Sequence, residues 1–186
     1  MVINLQWRKR KDIRLKSYDY SQRGAYFITI CIKDRHNLLW EPVGATCGRP
    51  LISGNQDNLP LSEIGKIVGL EINKIESYYN NVLIDKYVIM PNHLHIIIIL
   101  NNTENVHTEN GRPQVAPTIS RIVQQFKGSI SKQIGFSIWQ KSFHDHIIRD
   151  EKEYFKIWEY IGENPLNWQK DCYYKSSNKE SARPYE

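Results

Sequence analysis

The stretch from Val82 to Leu100 constrains this chain more than any other. Val82-Leu83-Ile84-Asp85-Lys86-Tyr87-Val88-Ile89-Met90 has the β-branched and aromatic content of a strand. Pro91-Asn92 interrupts it, and His93-Leu94-His95-Ile96-Ile97-Ile98-Ile99-Leu100 resumes as another strand. The apolar run from Ile96 to Leu100 is far too short to cross a bilayer. Side chains two apart on a strand share a face. His93 and His95 therefore project together, while Leu94 enters the opposite layer.

Around this pair the chain alternates in type. Gly24 opens a strand signal, Ala25-Tyr26-Phe27-Ile28-Thr29-Ile30-Cys31-Ile32. Residues 42 to 60 are rich in proline and glycine and read as a loop, with a possible short strand at Leu51-Ile52. Ser62 can cap a helix in which Ile64, Ile67, Val68, Ile72 and Ile75 repeat at helical spacing up to about Tyr78. Residues 101 to 117 are a polar excursion. A helix spans roughly Thr118 to Gly135, with Ile119, Ile122, Val123, Phe126 and Ile130 on one side. Phe143 to Ile148 reads as a strand, and a last helix runs from about Glu151 to Glu163, stopped by Asn164-Pro165. The order β, α, β, β, α, β, α gives an α+β fold, an antiparallel sheet with helices mainly on one face. It is close to the split ferredoxin-like arrangement with an added C-terminal helix. Residues 1–16 form a basic arm, 17–168 one domain, and 169–186 a polar tail read as loosely ordered. The tripeptide Gly-Arg-Pro recurs at 48–50 and 111–113 without a physical explanation.

Charge and cysteines narrow the classes. The formal net charge is +5, and its placement matters more than its size: Arg8, Lys9, Arg10, Lys11, Arg14 and Lys16 crowd the start. Such a cluster reads either as an arm following a phosphate backbone or as a solvated terminus. Cys31, Cys47 and Cys172 lie far apart and match no zinc, redox or disulfide pattern, which fits a reducing cytosol. No segment has the length and composition of a signal peptide or a membrane span, so a cytoplasmic protein without a membrane partner is expected.

Two constellations can carry chemistry. The paired imidazoles of His93 and His95 suit one divalent cation, or they simply end a strand with each ring hydrogen-bonded. Tyr160 and Asn164 sit four apart on the last helix and face one way. A phenol with an ordinary pKa of about 10 is a poor nucleophile at neutral pH and needs a cation to polarise a phosphate under attack. Asn164 could lend its carboxamide oxygen as a third ligand, or Asn164-Pro165 is only a helix stop. Tyr154, six residues before Tyr160, is a rival nucleophile on a different helical face.

His93-Leu94-His95 resembles the histidine–hydrophobic–histidine motif of the HUH endonucleases. The string Tyr87-Val88-Ile89-Met90-Pro91-Asn92-His93-Leu94-His95 is similar to that of their single-tyrosine insertion-sequence transposases. Trp139-Gln140 with Phe143-His144-Asp145-His146, and Tyr160-Ile161-Gly162-Glu163-Asn164-Pro165, resemble the REP-associated tyrosine transposases. So do Tyr20-Ser21-Gln22-Arg23-Gly24-Ala25-Tyr26-Phe27 and Phe126-Lys127-Gly128-Ser129. The likeness spans about residues 17 to 168.

The resemblance implies an RRM-like HUH nuclease core with a C-terminal helix carrying the tyrosine. It implies that His93, His95 and Asn164 hold Mg²⁺ or Mn²⁺, and that Tyr160 attacks single-stranded DNA beside a hairpin to leave a 5′-phosphotyrosine and a free 3′-hydroxyl. The activity implied is DNA transposition by a mobile element, a form of DNA recombination. His146 or His144 would assist the metal, a proton transfer or DNA orientation. Arg121, Lys127, Lys141 and Arg149, with the arm residues Arg8 to Lys11, would line a phosphate path. The alternatives are a domesticated hairpin-DNA-binding protein that no longer cuts, and a plasmid replication initiator or relaxase of the same superfamily. Either a monomer or a homodimer is compatible with the resemblance.

Overall fold

A computed structural model describes residues 19–42, 59–101 and 118–174. The arm residues Arg8, Lys9, Arg10 and Lys11, the Leu51-Ile52 segment, Cys47 and both Gly-Arg-Pro copies lie outside them. Strands β1 (Gly24–Cys31), β2 (Val82–Met90), β3 (His93–Leu100) and β4 (His144–Ile148) form one sheet in the order β2-β3-β1-β4. Every pairing is antiparallel. The helices are α1 (Glu63–Tyr78), α2 (Ile119–Ile134) and α3 (Glu151–Glu163). This is the expected α+β class.

Local chemistry sets the helix limits. The Ser62 hydroxyl accepts from Gly65 N at 3.1 Å and donates to the Leu38 carbonyl at 2.6 Å, which starts α1 and ties it to the segment after β1. Gly65 is required there, since a Cβ would run into the Leu39 carbonyl. Thr118 caps α2 by accepting from Arg121 N at 3.3 Å, and Gly135 ends it in the left-handed region at φ 85°. Asp150 caps α3, accepting from Glu153 N at 2.8 Å.

The period-2 pattern then divides the sheet into two faces. Tyr26, Ile28 and Ile30 of β1 share a face with Leu94, Ile96, Ile98 and Leu100 of β3, and all are buried. This face packs on α1 and α2, where Ile75, Ile122 and Phe126 meet Leu94 and Ile96. Burial of these side chains, about 1.5–3 kcal/mol each, drives the layer together. The other face carries Phe27, Thr29, Cys31, His93 and His95, and α3 crosses it above β2 and β3. Two helices thus lie on one face, and the tyrosine-bearing helix lies on the other. A bulge between Ile84 and Lys86 shifts the β2 register and aligns Lys86 with Ile97. The Lys86 ammonium is then 2.9 Å from the centre of the Trp158 ring, a cation–π contact beneath α3.

Candidate active site

Strand β3 places His93 and His95 side by side, 0% and 2% exposed. Their Nε2 atoms are 3.1 Å apart. The other ring nitrogen of each is held by a nearby side chain. His93 Nδ1 lies 2.9 Å from Asn92 Oδ1. The Asn92 amide donates to the carbonyls of Tyr173 at 2.9 Å and Arg35 at 3.4 Å, so its oxygen is the atom left facing His93. His93 Nδ1 must then be the N–H donor, which leaves a lone pair on Nε2. His95 Nδ1 meets Thr29 Oγ1 at 2.8 Å, across the β1–β3 pairing. Burial pushes both imidazoles down to about 3, with Arg35 adding to the effect on His93 and His93 adding to that on His95. Both rings are neutral at pH 7, the form that ligates a metal.

Helix α3 brings Tyr160 and Asn164 onto this pair. The Tyr160 hydroxyl is 3.2 Å from His95 Nε2. Burial, followed by the charge of Asp171, pushes the phenol up to about 12. Asn164 is 3% exposed and donates through Nδ2 to Asp171 Oδ2 at 3.2 Å. Its Oδ1 is buried and has no hydrogen-bond partner among the described residues.

Asp171 is the residue that sequence reasoning missed. It follows a 3-10 turn at Trp168–Lys170, in the segment read as a loosely ordered tail. Its Oδ2 is 4.0 Å from His93 Nε2 and accepts from the Tyr160 hydroxyl at 3.4 Å. The ligand atoms of His93, His95 and Asp171 all lie within 4.8 Å of one another. Tyr173 follows, its ring centre 4.5 Å from that of His93, with the Arg35 guanidinium 4.9 Å from its own centre. The packed domain therefore runs past Trp168. No hydrophobic periodicity marks the Asp171-Cys172-Tyr173 segment, and its mixture of an acid with aromatic residues in a polar tail was the only signal available.

The donor set fits a divalent cation. Two neutral imidazole nitrogens converge on one point, a carboxylate stands beside them, and the buried Asn164 oxygen lacks a partner. Ligands about 2.1 Å from a metal and at right angles are about 3 Å apart, close to the observed Nε2–Nε2 spacing. The mixture of nitrogen and oxygen donors suits Mn²⁺ better than Mg²⁺.

The remaining residues expected at the site are distributed differently. Tyr154 hydrogen-bonds to Asp85 of β2, not to the histidine pair, and burial, followed by Asp85, pushes its phenol up to about 12. His144 and His146 do share the site face, opposite Thr29 and Phe27 of β1. Neither hydrogen-bonds to the cluster; His146 Nε2 pairs with Glu153 Oε1 at 2.7 Å. Lys127 donates to the carbonyls of Gln140 at 2.9 Å and Ser142 at 3.0 Å, and burial pulls its amine down to about 8. Arg121 is exposed on α2, behind the sheet, whereas Lys141 and Arg149 are exposed on either side of β4. No helix among the described residues is long and apolar enough to cross a membrane.

An antiparallel sheet presenting a histidine pair to a tyrosine helix defines a transposase-like HUH fold. A solved structure described as a REP-associated tyrosine transposase bound to a REP hairpin matches it with a TM-score of 0.56. That match covers 83% of this chain and 74% of the other at 21% identity, and it concerns the fold. In sequence, an uncharacterized Haemophilus influenzae protein is 35% identical over 179 residues, 89% of this chain and 93% of its own length. A second protein of that organism, named for the REP-associated tyrosine transposases, is 30% identical over 81 residues, 42% of this chain and 46% of its own. No family model matches the chain. The chain belongs to one family with the Haemophilus relative that it matches over nearly its whole length; to the protein named for the REP-associated tyrosine transposases it is similar over part of each chain.

Proposed function

We propose that this protein cuts and rejoins single-stranded DNA at hairpins, with Tyr160 as nucleophile beside a divalent cation held by His93, His95 and Asp171 or Asn164. The observation that carries the reading is the Tyr160 hydroxyl, 3.2 Å from the ligating edge of His95. The hairpin enters by likeness to the solved relative, which is described as bound to one. When bound, the cation supplies positive charge that polarises the phosphoryl oxygens and stabilises the charge of the transition state.

In the forward step the Tyr160 oxygen bonds to phosphorus as the P–O3′ bond breaks. The phenolic proton is lost to solvent, and the Asp171 carboxylate, 3.4 Å from the hydroxyl, stays free to hold the cation. The departing strand takes a proton from solvent and ends in a 3′-hydroxyl, while the other end stays on the enzyme as a 5′-phosphotyrosine. Attack by a 3′-hydroxyl reverses these transfers and restores Tyr160. The bond energy is kept in the covalent intermediate, so religation needs no ATP. Tyr160 reaches His95 of its own chain, so one copy supplies the whole set and supports action as a monomer. A DNA substrate supports the cytoplasmic location expected from the sequence.

The test is to incubate the protein with labelled hairpin-bearing single-stranded DNA and Mn²⁺, then run a denaturing gel. A covalent adduct is expected that disappears with chelator or in Tyr160→Phe. An adduct that survives Tyr160→Phe overturns the assignment of the nucleophile. Tight retention of the hairpin without any cut supports a binder that has lost cleavage.

A further inference from the structure

The geometry points to the open half of the sheet, β1 with β4, as the track for the unpaired strand on one side of the cleaved phosphate, with Phe27 as a base-stacking residue. This rests on the nuclease reading above and adds where the substrate lies. Among the described residues, helix α3 packs over β2 and β3 and reaches β4 through Glu153, and the His144 and His146 side chains of β4 stay exposed on the same face. The register sets Phe27 beside His146 and Thr29 beside His144, and both imidazoles are exposed. An exposed strand face of an ordinary edge usually carries lysine, glutamate or threonine to discourage pairing and stay solvated. Here it carries flat rings, next to the nucleophile.

The strip is continuous with the site. The half-buried Phe27 ring stacks on His95 with centres 5.1 Å apart and planes 26° apart. It also meets Tyr160 edge-on at 6.2 Å. A base adjoining the phosphate at Tyr160 therefore finds the exposed part of Phe27 as its neighbouring surface. Glu153 holds His146 through Nε2 at 2.7 Å, which fixes that imidazole at the rim. Cations flank the strip: Arg149 follows β4 at the end where Arg23 precedes β1, and Lys141 lies before the other end of β4, while the acid at its rim, Glu153, is paired to His146. Rings on an open antiparallel sheet flanked by cations suit a single strand, whose bases are free to stack, and not a duplex.

The test uses the full chain carrying Tyr160→Phe, without metal, and measures anisotropy of a fluorescein-labelled dT12 single strand. Duplex dT12·dA12 and single-stranded rU12 are the comparison probes. Phe27→Leu keeps the apolar bulk and is expected to weaken dT12 binding roughly tenfold, within the range of one lost base stack. Phe27→Tyr is expected to restore it, which loss of packing alone does not explain. The exposed His144→Ala is expected to weaken dT12 binding several-fold, and it tests the strip even if Phe27→Leu melts early. Unchanged affinity in both Phe27→Leu and His144→Ala overturns the inference, as does preference for the duplex or for rU12. A Tyr160 adduct alongside that result leaves the nuclease reading standing. Phe27-dependent binding of dT12 with no adduct on any hairpin leaves the track and removes the nuclease.

Discussion

The hydroxyl of Tyr160 lies 3.2 Å from Nε2 of His95, so nucleophile and ligand edge are already in contact before any substrate arrives. Burial and Asp171 push that phenol up to about 12. At neutral pH it is protonated, and each unit of pH raises the reactive phenolate tenfold until the group titrates. Cleavage of hairpin DNA at saturating Mn²⁺ is therefore expected to accelerate about tenfold from pH 6 to 7, and again from 7 to 8. Single-turnover rates read from denaturing gels check this. A flat profile would separate loss of the phenolic proton from the limiting step.

The Asp171 carboxylate is expected to act as a metal ligand. It stands 4.0 Å from His93 Nε2 and belongs to the three-residue cluster. Asp171→Asn keeps the shape and removes the charge, and it should weaken Mn²⁺ binding at least about tenfold in titration calorimetry, the scale seen when metal-site partners are lost. Asn164→Ala should also weaken binding, since its Oδ1 is buried without a partner among the described residues. Equal Mn²⁺ affinity in wild type and Asp171→Asn would leave Asp171 as only a hydrogen-bond partner of Tyr160 and Asn164.

Much of this arrangement was legible because local rules and tertiary structure agree. Ser62, Thr118 and Gly135 mark helix ends by their own backbone chemistry, and the period of a strand puts His93 and His95 on one face. Spacing of four on a helix brings Tyr160 and Asn164 together in the same way. The unread parts depend on contacts between distant segments. Nothing in the alternation of Val82 to Met90 announces the bulge that aligns Lys86 with Ile97. Asp171 and Tyr173 join the site through packing of an irregular segment, for which there is no period to detect. Lys127 reads as a surface cation on a helix and becomes a clamp only because the chain from Gln140 to Ser142 passes beside it.

Acid should destabilise the fold through the two ligand imidazoles. Their folded pKa values of about 3 lie below the ordinary 6.5, so the unfolded chain binds protons that the folded chain refuses. Stability is then complete above the unfolded value and falls as pH drops from 6.5 toward 3. For two buried groups the loss across that window is on the order of several kcal/mol. In chelator, the melting temperature is expected to fall steadily from pH 7 to pH 4, and His93→Asn should flatten part of the slope. An unaltered slope in that variant would assign the acid limb to other groups.

Lys127 offers a clean contrast between a phosphate contact and a structural clamp. Its ammonium bonds the carbonyls of Gln140 and Ser142 at 2.9 and 3.0 Å, just before β4 begins. Lys127→Met fills similar space but leaves both carbonyls without this donor, at a cost of about 1–3 kcal/mol. For a domain of this size that is a fall of roughly 3–10 °C in melting temperature. If the ammonium reached DNA instead, the variant would bind single strands more weakly and the log–log salt slope would shrink by about one. A clamp predicts the lower melting temperature with the salt slope unchanged. Measuring both on one preparation separates the two roles, because the carbonyls and a phosphate compete for the same half-buried amine.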